Sequence, residues 1–148
     1  VKPLRLLIAG LAAAVAWLAG LQVFFGPAQR ILTDPGLQSP KFLAAFAREP
    51  FPRMAEAWVL PAGLLVIGLI HATAYAWLAP RLDGPPWRRG LAFGALAWAL
   101  MVPWFEFYLP WNVMREPFPL VMLEAACWAG VLLLVGLATG LAYGRPRD

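Results

Sequence analysis

Between residues 6 and 25 the chain carries a single polar side chain, Gln22, and three later stretches are almost as apolar. A run of about 20 apolar residues, rising about 1.5 Å per residue as a helix, spans the ~30 Å hydrocarbon core of a bilayer. Lipid offers no partner to a backbone N–H or C=O, so an isolated apolar run of this kind must be helical. Composition agrees. The 148 residues are 61% hydrophobic and 14% charged, whereas soluble domains hold roughly 45–50% apolar and about 25% charged residues. The expected fold is all-α: an integral membrane bundle of four transmembrane helices forming one domain over residues 1–148. The spans are placed at about 4–25, 57–82, 87–108 and 118–143.

The front of the chain resembles a signal peptide, with Lys2, Arg5 and a small-x-small site at Ala14-Val15-Ala16. The apolar run continues past that site to Phe25, so the reading is an uncleaved first span ended by Gly26-Pro27. Thr33-Asp34-Pro35-Gly36 reads as a turn. Ser39-Pro40 reads as an N-cap followed by proline at the first helical position. A short amphipathic helix over 40–48 follows, with Phe42, Leu43, Phe46 and Ala47 on one face, suited to a membrane surface. Pro50 and Pro52 stop it. The second span opens near Glu56 and Trp58. The few residues at Gly84-Pro85-Pro86 make the second and third spans antiparallel neighbours. Pro103 is expected to kink the third span, and 109–117 is expected to be a loop.

Basic residues set orientation. Lys2, Arg5, Arg81, Arg88, Arg89, Arg145 and Arg147 fall at the termini and second loop. Arg30, Lys41, Arg48, Arg53 and Arg115 fall in the first and third loops. The bias places both termini in the cytoplasm of a multi-pass cell (inner) membrane protein. Residue types also sort by depth. Small residues four apart allow close helix approach, and they occur at Gly10/Ala14, Ala72/Ala76, Gly90/Gly94 and Gly136/Gly140/Gly144, all in the cytoplasmic half. Aromatic and charged residues gather in the other half. A bundle pinched at one end, with a cleft opening outward at the other, is expected.

Composition excludes several functions. The net charge of +4 and pI near 9.8 come from residues flanking apolar runs, where they meet headgroups. No basic patch accompanies a groove-reading element, so nucleic acid is excluded as a partner. Cys127 is the only cysteine, which excludes chemistry by an intrachain cysteine pair. Ser39 is the only serine and has no histidine partner in its loop. No glycine loop cradles phosphate. His71 lacks the second histidine or the cysteines of a zinc site. No Glu-x-x-His pair supports a di-iron bundle, and no metal is assigned. His71 alone suffices as an axial ligand candidate for a tetrapyrrole, and the cofactor is otherwise left open.

The stretch 103–119 concentrates what remains. Glu106 and Glu124 lie on either side of it, Glu124 about 9 Å inside its span. An ionisable residue inside a span usually faces the protein interior or a wet cavity. The candidate ligand-binding or proton-handling set is Glu106, Glu124, Asn112, Arg115, Trp104 and Trp111, with His71, Glu56 and Glu116 secondary. The alternative for both carboxylates is structural pairing with Arg115, Arg53, Asn112 or a tryptophan N–H. The leading functional expectation is a non-enzymatic membrane protein that binds a small apolar ligand or a membrane-protein partner through the outer cleft, as an accessory subunit would. A second is an oligomeric proton-coupled small-molecule transporter using Glu106 or Glu124. A third, weaker, is an intramembrane lipid-modifying enzyme.

Overall fold

A computed structural model describes residues 3–46 and 58–144. These form five helices and, among the described residues, no strand: α1 (Pro3–Leu32), α2 (Pro40–Phe46), α3 (Val59–Arg81), α4 (Pro86–Val113) and α5 (Phe118–Tyr143). All but α2 are long and apolar enough to cross a membrane. The all-α four-helix bundle expected from the apolar runs is the observed architecture, and α5 coincides with the expected fourth span. Glu56, Arg48, Arg53, Pro50 and Pro52 lie outside the described residues, as does the end of the expected 40–48 helix.

The first and third spans are longer than expected. Gly26-Pro27 does not end α1. The chain widens into π-helical turns at Leu21–Phe25 and resumes as α-helix over Gly26–Leu32, with Pro27 in its first turn. Proline is tolerated there because the opening N–H groups of a helical segment need no partner. Likewise, α-helical bonding in α4 runs through Pro103 to Glu106, and the departure comes one turn later. Phe107–Val113 is π-helical around Pro110. Most of the loop expected at 109–117 is therefore helix, and only a few residues at 114–117 connect α4 to α5.

The helices pack in the order α3, α1, α5, α4, with α4 against α5 the most extensive contact. The tight turn did not make α3 and α4 close neighbours. Their backbones barely meet, because aromatic rings stand between them. Phe93 meets His71 at 6.1 Å and Tyr75 at 5.5 Å, both edge-on. Lipid tails are as apolar as leucine, so helix association relies on close packing. The large aliphatic residues accordingly point outward, including Leu4, Val15, Ile70, Leu100 and Leu141, while Ala9, Ala13, Ala72 and Ala79 are buried.

Two contacts bring backbones together. A Cβ on Gly136 would run into the Gly90 carbonyl and the Gly94 nitrogen, and one on Gly68 into the Gly10 carbonyl. Gly144, in contrast, packs on nothing: it ends α5 at φ 75°, with open space where a Cβ would sit. Toward the lip end of the bundle, where α4 passes into α5, rings fill the space between helices. Phe24 lies on Gly130, and Trp128 packs edge-on against Trp17 and Phe25.

Gly136→Ala should lower bundle stability by about 1–3 kcal/mol, the usual range for overpacking, read as the midpoint of denaturant unfolding in mixed micelles. Gly63→Ala, at an exposed position with open space around it, should leave the midpoint unchanged or raise it.

Candidate functional site: an aromatic groove and a buried carboxylate pair

The lip is built from the wide turns of α4 and a latch to the first loop. Helical spacing sets aromatic residues three and four apart on one side. Trp104 stacks on Tyr108 at 5.1 Å, and Phe107 meets Trp111 edge-on at 5.5 Å. Phe118, at the start of α5, closes on Trp111 at 5.8 Å.

The lip ends in a backbone device. The Glu116 N–H donates to the Pro110 carbonyl and the Met114 N–H to the Leu109 carbonyl, both at 2.9 Å. These long-reach bonds satisfy carbonyls at the helix end, as in a glycine-type C-cap. The left-handed residue such a cap requires is here Arg115, at φ 62°. A non-glycine residue held there costs about 1–2 kcal/mol.

Ser39 secures the lip from the other side. Its N–H and hydroxyl reach Glu116 Oε1 at 3.2 and 3.0 Å, and its hydroxyl also lies 2.6 Å from the Met114 carbonyl. The Ser39 hydroxyl oxygen accepts the Phe42 N–H at 3.0 Å, the N-cap anticipated for α2. Lys41 Nζ donates to the Val113 carbonyl at 2.9 Å.

These elements frame a groove of about 620 Å³, lined by Trp104, Phe107, Tyr108, Trp111, Asn112, Arg115 and Glu116. Among the described residues the Arg115 side chain forms no ion pair or hydrogen bond. Glu116 is buried and held by Ser39, so among the described residues the groove leaves Asn112 and Arg115 uncommitted, along with the Tyr108 hydroxyl and the Trp104 and Trp111 indole N–H groups. Four of the leading sequence candidates, Trp104, Trp111, Asn112 and Arg115, come together here.

The other two do not line the groove. Glu106 is completely buried, and neither of its oxygens has a hydrogen-bond partner among the described residues. Glu124 faces it from α5, with Trp128 beside Glu106, and Glu116 is the next carboxylate outward from Glu124. Below them, the Trp98 indole donates to the Ala125 carbonyl at 2.9 Å. A crevice of about 10 Å³, lined by Leu32, Gln38, Phe42, Pro110, Glu116, Leu120, Val121 and Glu124, connects the last two carboxylates. That is room for about one water molecule. Glu116 thus belongs to both the groove and the crevice.

His71 lies a level away. Its Nδ1 is 2.9 Å from the Ile67 carbonyl one turn back, and its ring packs edge-on against Trp17 at 5.8 Å. It stands apart from the carboxylates, separated from them by the indoles of Trp17 and Trp128. Among the described residues no group of three His, Cys, Asp or Glu side chains is placed to hold a metal ion.

Sequence reasoning missed the latching role of Ser39, ranked Glu116 as secondary, and left Phe107 and Tyr108 out of the candidate groove. The 104, 107, 108, 111 spacing was the available signal. Searches against protein-family models, curated proteins and solved structures find no match for this chain.

Ser39→Ala removes the cap of α2 and the hydroxyl that holds Glu116. It should cost about 1 kcal/mol locally, seen as faster amide hydrogen exchange in residues 39–44 and 114–117 with the spans unaffected.

Proposed function

We propose that this chain is a membrane-embedded binding protein whose lip groove takes a single-chain amphiphile with an anionic head. The observation that carries this reading is the Arg115 guanidinium, unpaired among the described residues, at the rim of an aromatic groove. A volume of about 620 Å³ is in the range of small-molecule sites, which run about 300–1,000 Å³. Flat indole and phenol rings suit a hydrocarbon body, and Asn112 with Arg115 offers donors to a carboxylate or phosphate. Arg115 also sits in a backbone conformation that glycine would adopt more readily. Strain of this sort tends to collect at ligand-holding positions.

The lip end faces away from the cytoplasm in this proposal, supported by the seven-to-five bias of basic residues toward the opposite end. The groove then lies at headgroup level, where tryptophan and tyrosine are favoured. An accessory subunit presenting a lipid-like molecule to a larger membrane complex would have this build. No part of the groove combines a nucleophile with a base, so binding is favoured over catalysis.

Photolabelling of the full chain in nanodiscs tests the proposal. A diazirine-bearing long-chain carboxylate should label residues 104–116, and Arg115→Ala should weaken half-maximal labelling about tenfold, the effect of losing one charge-assisted hydrogen bond. The matching trimethylammonium amphiphile should label this segment poorly and be indifferent to Arg115→Ala. Equal labelling by both head charges, or label spread evenly over lipid-facing helix surfaces, would rule the groove out as an anion-headed site. Separately, Arg115→Gly should raise stability by about 1 kcal/mol by relieving the left-handed position, while weakening labelling as Arg115→Ala does.

A further inference from the structure

The carboxylates behind the groove carry an inference that does not depend on the ligand proposed for it. Glu106 is fully buried with both oxygens unpartnered among the described residues. A charged carboxylate in that position is costly unless a cation or donor answers it. Among the described residues the Trp128 indole is the one donor beside it, and no cation stands among its neighbours. On α5 the neighbours are Glu124, Trp128 and, beyond Glu124, the Cys127 thiol. From the lip comes Glu116, already committed to Ser39. From α1, Trp17 packs on Trp128, and His71 of α3 lies on its far side. Lys41 of α2 is bound to the Val113 carbonyl on the outer face. The carboxylate aimed at Glu106 is Glu124, and Glu124 alone of the two lines the crevice beneath Pro110.

We infer that the Glu106–Glu124 pair is a proton-binding site, loaded from the lip end through the crevice that Glu124 shares with Glu116. In the loading step a hydronium ion in the crevice gives up a proton. A lone pair on a Glu124 carboxylate oxygen forms the new O–H bond, and water is released. The proton is then shared with the facing Glu106 oxygen, so that the pair carries one negative charge instead of two. A metal ion is the less suited occupant, because among the described residues no third His, Cys, Asp or Glu ligand joins the pair. Glu116 and Pro110 border the crevice, and Glu116 also walls the groove, so the proton site and the groove share a boundary side chain.

Infrared difference spectroscopy of the full chain in nanodiscs tests this. At neutral pH the native protein should show the carbonyl stretch of a protonated carboxylic acid, shifted in D2O. The band should be lost in the Glu106→Gln/Glu124→Gln double variant. Glu116→Gln should slow the band's response to a pH jump severalfold and leave its final amplitude. If the double variant does not insert, the isosteric single variants serve, and each should shift or remove the band. Only ionised-carboxylate bands at neutral pH would overturn the site, as would a carboxylic-acid band unchanged in both single variants. A response to sodium at fixed pH in place of a response to pH would overturn the proton as its occupant. An unaltered pH-jump rate in Glu116→Gln would overturn the route.

Discussion

The contact of α4 with α5 through bare backbone is the constraint on which the rest of this structure depends. Between helices in lipid there is little hydrophobic drive, so attraction must come from packing at short range. Gly90, Gly94 and Gly136 supply that range where α4 begins and α5 ends. Once the helices are joined there, their other ends are free to differ. Rings and carboxyl groups occupy the space between them at the lip, with Phe24, Trp17 and Trp128 filling one side and Glu106 facing Glu124 on the other. A site with two acids in its wall needs such an anchor elsewhere, because the acids themselves contribute no attraction when both are charged.

Proline shapes the same end. Pro27 and Pro110 each lack an N–H, and each lies in or beside a segment of π-helical turns. Wider turns re-route the backbone bonds that proline removes, as a membrane requires. The helix nevertheless keeps Trp104, Phe107, Tyr108 and Trp111 at three- and four-residue spacing, and these form one wall. The chain then reverses through a cap that Arg115 occupies in place of glycine, and Ser39 pins the reversal by holding Glu116. Groove, crevice and buried pair are therefore consequences of one distorted helix end and its fastening.

Much of this was legible in the sequence. Apolar runs without charge place spans well because lipid admits few alternatives, and α5 coincides with its expected limits. The Ser39-Pro40 cap and the turn at residues 33–36 also follow from local chemistry, with the Gly36 N–H bonded to Asp34 Oδ1 at 2.9 Å. Helix ends read from proline were less successful. Gly26-Pro27 is a breaking signal in water, but inside a span the backbone has no solvent to turn to and the helix continues. Spatial neighbours were hard for a different reason. The short turn joining α3 to α4 fixes their direction, yet Phe93 against Tyr75 keeps their axes apart. Gly68 was overlooked as a packing glycine although Ala72 lies four positions after it, the same spacing by which its partner Gly10 was found with Ala14. At the site, Glu106 and Glu124 stood out as acids within spans. Their separation from Arg115 and Asn112 depended on how α4 and α5 face one another, and no sequence period encodes that. Glu116 looked like an ordinary loop acid until Ser39 arrived from far along the chain.

Hydrogen–deuterium exchange over the whole chain in nanodiscs, comparing the native protein with Gly136→Leu, tests the central dependence of the lip on the glycine contact. A leucine at that position must push α5 away from the Gly90 carbonyl. The expected result is faster exchange at residues 86–94 and, in addition, at the distant 107–117 lip, with α1 and α3 little changed toward their Gly10–Gly68 contact. Faster exchange confined to residues near Gly136, with the lip as protected as in the native chain, would contradict the account.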